Sequence, residues 1–210
     1  PNFGKEKSWG LEASLKGGGP GYALSLNAYA NRFSGYIYDS EVADAVCLAA
    51  TGLSSIDFPC FQNAQGSART YGFEAEGSVM AARWGETSLT LDASADYVHA
   101  ALKGVGPVPR TPPLRIQGGA ELANDRWTAR IEAEHDFAQN RVSGLETTTP
   151  GFTLVNASLG WRPIADNKAI NLTLATNNIF DVVARRHASY MKDYAPLSGR
   201  DIRVTARFGF

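Results

Sequence analysis

Apolar and polar side chains alternate with period two along stretch after stretch of this chain, and that alternation most limits its fold. The last stretch is the clearest. From Gly199 onward, Ile202, Val204, Ala206, Phe208 and Phe210 point one way, while Asp201, Arg203, Thr205 and Arg207 point the other. Successive side chains of a strand leave opposite faces, so this is a strand with one apolar and one polar side. The same pattern recurs in Ser8–Lys16, Tyr22–Tyr38 (with a phase slip near Arg32-Phe33), Arg69–Met80, Thr87–His99, Leu114–Leu122, Trp127–Phe137, Thr153–Arg162 and Ile170–Ala175. One such strand suits a soluble sandwich, with the apolar row as core, as well as a sheet with lipid on one side and water on the other.

The connections separate the two. Short turns are expected at Gly17, Arg83, Asn124 and Asp166, and long ones around Cys47, Val105, Ser143 and Ala188. The run Gly104–Pro113 is too rich in Gly and Pro for regular structure, and Asn177–Ser198 has room for a short helical turn. Short and long connections therefore alternate. That is the arrangement of an all-β, antiparallel, up-and-down transmembrane β-barrel, of which this chain supplies about nine strands. A Greek-key sandwich has no reason to sort its connections in this way.

Trp84, Trp127 and Trp161 each flank a short turn, as do Tyr22 and the terminal Phe210. They predict an aromatic girdle at one membrane interface, where amphipathic rings settle. The competing reading is tryptophans capping a sandwich core. Glu74, Glu76, Asp92, Asp96, Arg130 and Glu132 all fall on the polar faces. Both signs are mixed, which suits a wide wet lumen or contact with a polar plug. A soluble β-sandwich adhesion or carbohydrate-binding module remains the alternative.

With 20 basic and 21 acidic residues the net charge is -1, which offers nothing to nucleic acid. No window reaches the ~18 apolar residues of a membrane-spanning helix, which does not bear on a barrel. The chain starts Pro1-Asn2-Phe3-Gly4 without a signal-peptide pattern, and we expect a piece of something longer. The two cysteines, Cys47 and Cys60, share one polar segment. A disulfide between them is expected, closing a loop of about 14 residues for roughly 3 kcal/mol in an oxidising compartment; two unrelated thiols are the alternative.

Several motifs resemble the C-terminal barrel portion of TonB-dependent outer-membrane receptors. They are Asn177-Asn178-Ile179-Phe180-Asp181 at a strand end, Ala195-Pro196-Leu197-Ser198-Gly199-Arg200 before the last strand, Pro107–Leu114, and Tyr71-Gly72-Phe73-Glu74-Ala75-Glu76. The terminal Phe210 resembles the assembly signal of outer-membrane proteins. The resemblance implies a barrel of about 22 strands with an N-terminal plug, in the outer membrane of a Gram-negative bacterium, importing a scarce ligand. Residues 1–210 would then be the C-terminal part of the barrel domain, with the plug absent from this stretch. Implied partners are outer-membrane lipid, the barrel-assembly machinery, a TonB-type energy-coupling protein acting on a TonB box in the missing N-terminal region, and a small metal chelate or metal ion. Cut out alone, the strands would leave two unpaired edges, so the piece is not expected to transport by itself.

The run Arg185-Arg186-His187-Ala188-Ser189-Tyr190-Met191-Lys192-Asp193-Tyr194 resembles a subgroup that includes zinc-uptake receptors. On that resemblance His187 and Asp193 are candidate metal ligands, and Arg185 and Arg186 join them as candidate ligand-binding residues. His99 and His135 also fall near the long-loop edge. Three histidines scattered on exposed loops and rims are the preferred competing reading. A ferric siderophore is the other ligand class, and the sequence does not choose. An enzyme would need a nucleophile and base at the rim; Ser143, Ser189 and His187 are not convincingly spaced, so no enzymatic activity and no cofactor are expected.

Overall fold

A computed structural model describes residues 3–209 except 54, 56, 58, 145 and 165–169. The expected turn at Asp166 and the terminal Phe210 lie outside the described residues. All strands join one antiparallel sheet: β1 (Lys7–Gly19), β2 (Tyr22–Val42), β3 (Cys60–Trp84), β4 (Thr87–Leu102), β5 (Gly106–Pro107), β6 (Arg115–Ala123), β7 (Trp127–Asp136), β8 (Phe152–Trp161), β9 (Ile170–Asn177) and β10 (Asp201–Phe208). Its path is a meander, β1-β2-β3-β4-β6-β7-β8-β9-β10, with β1 and β10 at the edges. Short turns such as Pro20-Gly21 and Gly85-Glu86 lie at one end and long connections at the other.

Register fixes which side chains share a face, because directly paired residues point the same way. Tyr22, Val79, Leu91, Ala120, Ile131, Ala157, Thr176 and Ile202 form one continuous row across the sheet. On the other side run Ser78, Asp92, Gly119, Glu132 and Asn156. The apolar rows are uncovered: Leu11 is 65% exposed, Ile131 54% and Val204 77%. Among the described residues no second sheet faces them, so the sandwich alternative is not what this chain forms. Where Gly77, Ala93, Gly118 and Ala133 stand in one row, the apolar face sinks into a trough of about 870 Å³.

The aromatic residues at the short-turn end sit on this open apolar face. Trp84, Tyr22 and Trp127 are exposed, and Trp127 stacks on its cross-strand neighbour Trp161 at 5.6 Å between centroids. The rings of Tyr71, Phe73, Tyr97 and His99 lie on the same face toward the opposite end.

Four details differ from expectation. β2 runs on to Val42 and β3 starts at Cys60, so the cysteine segment is not a bare loop; it also holds a helix, α1 (Asp44–Thr51). The phase slip falls at Gly35, not at Arg32-Phe33: its φ of 72° makes a bulge between Ser34 and Tyr36. Glycine takes that left-handed angle without a Cβ clash. A two-residue strand, β5, forms inside the Gly/Pro-rich run and pairs with β4. Residues 178–200 form successive turns but no helix.

Candidate functional site

The described residues pack most tightly at the long-connection end. Buried polar side chains gather there, among them Thr111, Asp136, Gln139, Thr149, His187 and Lys192. They tie together three connections: 103–114, 137–151 and 178–200.

The last connection is pinned at its root by Asn178. Its backbone is left-handed (φ 50°), which asparagine tolerates. Its side chain donates to the Val182 carbonyl at 2.9 Å and the Ser198 carbonyl at 3.3 Å, and accepts the Val182 N–H at 2.8 Å. Asp181, also left-handed, accepts the Arg200 N–H at 2.8 Å. The Asn177–Asp181 motif is thus a clamp that brings both ends of the connection together.

From that clamp the chain lays four charged side chains and one histidine across its neighbours. Arg186 donates to both carboxylate oxygens of Asp136 at 2.8 and 3.0 Å, and its Nη1 lies 2.5 Å from Glu134 Oε1, a charge contact outside hydrogen-bond geometry. His187, only 2% exposed, has Nδ1 2.8 Å from Thr149 Oγ1 and Nε2 3.2 Å from Glu146 Oε1, the latter out of line for a hydrogen bond. Burial pulls the His187 pKa below the ordinary histidine value, the Glu146 carboxylate opposing it in part. Lys192 donates to the Thr147 carbonyl at 2.8 Å and pairs with Asp193 at 3.0 Å. The Thr147 hydroxyl donates to Asp193 at 2.6 Å; this bond first, and Lys192 second, hold the carboxylate below its usual range. Arg185 donates to the Lys192 carbonyl.

Glu146 also accepts the backbone N–H of Arg110 at 2.7 Å. The Arg110 guanidinium lies over the Tyr190 ring, 3.7 Å from its centre. These contacts frame a cleft of about 610 Å³, whose lining includes Tyr36, Tyr38, Arg110, Glu146, Tyr190 and Asp193. The register shift at Gly35 gives Tyr36 the same face as Phe33, and their rings meet edge to face at 5.6 Å. A cleft lined by three tyrosines, the cations Arg110 and Lys192, and the carboxylates Asp39, Glu146 and Asp193 suits a polar, ring-bearing ligand that both accepts and donates hydrogen bonds.

The candidates from the sequence divide. His187 and Asp193 belong to one network, but the His187 ring nitrogens face Thr149 and Glu146. Among the described residues no three His, Cys, Asp or Glu side chains gather as a metal centre. His187 is buried, not on an exposed rim. His99 stacks on Tyr71 and His135 sits against Phe137, both on the apolar face and away from the cleft. Arg185 and Arg186 brace the connection. Sequence reasoning missed Tyr36 and Arg110 as cleft residues: Tyr36 stands in no motif, and Arg110 lies inside the Pro107–Leu114 run with nothing to set it apart.

A family model described as TonB dependent receptor-like, beta-barrel matches residues 1–179. The chain belongs to that family. Solved structures share the fold at low identity. The copper transporter OprC is 19% identical with a TM-score of 0.82, covering 100% of this chain and 32% of that one. The FrpB iron transporter of Neisseria meningitidis is 12% identical, TM-score 0.68, over 97% of this chain and 30% of that one. The ferric-catecholate import receptor Fiu of E. coli K12 is 17% identical, TM-score 0.67, over 99% and 28%. This TonB-dependent receptor barrel segment therefore spans about a third of the structures it matches. The family resides in the Gram-negative outer membrane, and these similar structures are described as transporters and an import receptor.

Proposed function

We propose that the chain is the C-terminal part of the barrel wall of an outer-membrane active-transport receptor, whose long connections form the outer mouth and bind a metal chelate of the ferric-siderophore class. The plug and the energy-coupling segment that meets a TonB-type protein would lie outside these 210 residues. Phe210 would be the signal that the assembly machinery recognises, and the Trp84–Trp127–Trp161 edge with Tyr22 would be the inner interface girdle. The observation that carries the ligand class is Arg110 stacked on Tyr190 at the wall of an aromatic cleft. A delocalised cation on a ring is suited to an anionic, planar chelate. A bare metal ion is the second reading, with His187 and Asp193 as its ligands. It would require His187 to leave Thr149 and Glu146.

The test is uptake by the full-length receptor in cells lacking other importers. Replacing Arg110 and Tyr190 by alanine should weaken ferric-siderophore binding about tenfold or more, while H187A should leave zinc accumulation unchanged. Unchanged siderophore binding in R110A/Y190A would overturn the chelate reading, and lost zinc uptake in H187A would install the metal reading in its place.

A further inference from the structure

The apolar face carries four exposed cations in one corner. Trp9, Arg32, Arg69 and Ala101 form one row across β1 to β4, and Lys7, Ser34 and Ser67 form the next row outward. Lys103 closes that outer row through its N–H bond to the Ser67 carbonyl, 2.8 Å. Lys7, Arg32, Arg69 and Lys103 are all exposed. Among the described residues no carboxylate pairs with any of them, whereas Arg115 and Arg130 on the polar face, and Arg186 reaching onto it from the last connection, are all paired. The acids of this corner stand elsewhere. Glu6 accepts the Ile37 N–H at 3.2 Å, while Asp39 and Glu41 lie farther out along β2. Arg141 adds a fifth cation beside the group, its Nη2 3.1 Å from His99 Nε2. A cleft of about 590 Å³ has Arg32, Arg69 and Lys103 in its lining.

Height along the strand locates the corner. From Val79 to Tyr71 the apolar row covers about 27 Å of strand, or about 20 Å along the membrane normal at a tilt of about 40°. The apolar band of such a wall is about 25 Å tall. Arg69 is the next side chain on that face beyond Tyr71, so the cations stand where acyl chains end and headgroups begin, on the long-connection side. Unpaired cations in that position attract anionic headgroups, and a guanidinium can grip phosphate oxygens two at a time.

We propose that Lys7, Arg32, Arg69 and Lys103 form a site for the phosphate groups of a phosphorylated glycolipid of the outer leaflet, held on the outside of the wall. This rests on the reading that the apolar face meets lipid. It is independent of what the mouth imports.

The test uses the full-length receptor, extracted from the outer-membrane fraction, delipidated in detergent, and incubated with bis-phosphorylated lipid A or with the same lipid after phosphatase treatment. Native mass spectrometry should show the phosphorylated lipid retained at least tenfold more than the dephosphorylated one. R32Q/R69Q/K103Q should lose that preference at an unchanged lipid-free melting temperature, and R69Q alone should weaken it, which guards against misfolding of the triple variant. Equal retention of both lipids, an unaltered preference in the variants, or complete displacement by excess inorganic phosphate would each overturn the inference while leaving the receptor reading intact. A chain found outside the outer-membrane fraction would overturn both.

Discussion

Arg130 on β7 reaches over the intervening strand β6 to grip Asp92 on β4, Nη1 to Oδ1 at 2.6 Å and Nη2 to Oδ2 at 2.9 Å. The residue beneath this bridge is Gly119, which pairs with Asp92 on one side and Glu132 on the other. A Cβ at that position would lie 2.5 Å from Arg130 Nη2 and 2.9 Å from Asp92 Oδ2. Arg130 also meets Glu132 at 3.1 Å, and Glu132 in turn accepts from Asn156 on β8. One missing side chain thus lets a charge network stitch four strands together on the polar face.

The bridge gives the first prediction. The pair is about a third exposed, with side-chain accessibilities of 27% and 32%, so its loss should cost about 1 kcal/mol, well short of a buried pair. D92N and G119V should each lower the unfolding free energy of the detergent-refolded receptor by about that amount, read from the shift of the urea midpoint at unchanged m-value. The double variant should cost little more than either alone, because both break the same bridge. Additive losses would show that Gly119 serves some other end.

The second concerns the clamp. Asn178→Ala removes three side-chain hydrogen bonds and places a Cβ residue less tolerant than asparagine at φ 50°. Asn178→Gly removes the same bonds but accepts the angle. Local opening of residues 182–198 should become easier by about 2 kcal/mol or more in N178A, and by less in N178G. Hydrogen exchange across that connection measures both. Identical exchange in the two variants would mean that the angle carries no cost, and exchange equal to the parent would remove the clamp.

The fold was legible where a membrane wall imposes a rule. Within the spanning stretches one face must be apolar and the other polar, so period-two alternation marked the nine-strand path and even the sorting of its connections. Beyond Tyr38 and before Arg69 the apolar–polar alternation disappears while the backbone pairing of β2 with β3 continues, which hid the outer halves of both strands. The mouth was legible in part. The run from Arg185 to Asp193 does enter the packed network, but the sequence could not show that His187 would be enclosed by Thr149 and Glu146, which come from a different connection. Arg110 was hidden for the same reason: its role comes from meeting Tyr190 across the fold.

The third prediction is about the outer hairpin. Cys47, buried in α1, is joined to Cys60 at the start of β3, Cα to Cα 6.0 Å. The link spans 13 residues, so chain entropy assigns it about 3 kcal/mol, or roughly a hundredfold in the opening equilibrium of that segment. C47S/C60S should therefore speed proteolysis within residues 43–59 by up to that factor, whereas the melting temperature of the wall should stay put because the sheet ladder below is untouched. A lowered melting temperature would show that the hairpin helps hold the whole wall.

The fourth follows from His187. Its native pKa lies below the ordinary value of 6.5 because burial penalises the imidazolium, with Lys192 adding to that and Glu146 and Asp193 opposing it. The opened connection binds a proton more readily than the docked one, so docking is strongest above about pH 6.5 and weakens as pH falls toward the lower native pKa. Below that value both forms are protonated and the loss levels off. Hydrogen exchange of residues 184–194 should thus accelerate between pH 7 and pH 5 beyond the intrinsic chemical trend. H187Q, which does not titrate there, should abolish the excess even if it weakens docking at every pH. An excess that survives in H187Q would place the proton on another group, with Asp193 the wrong candidate, since Thr147 and Lys192 hold its carboxylate ionised through that range.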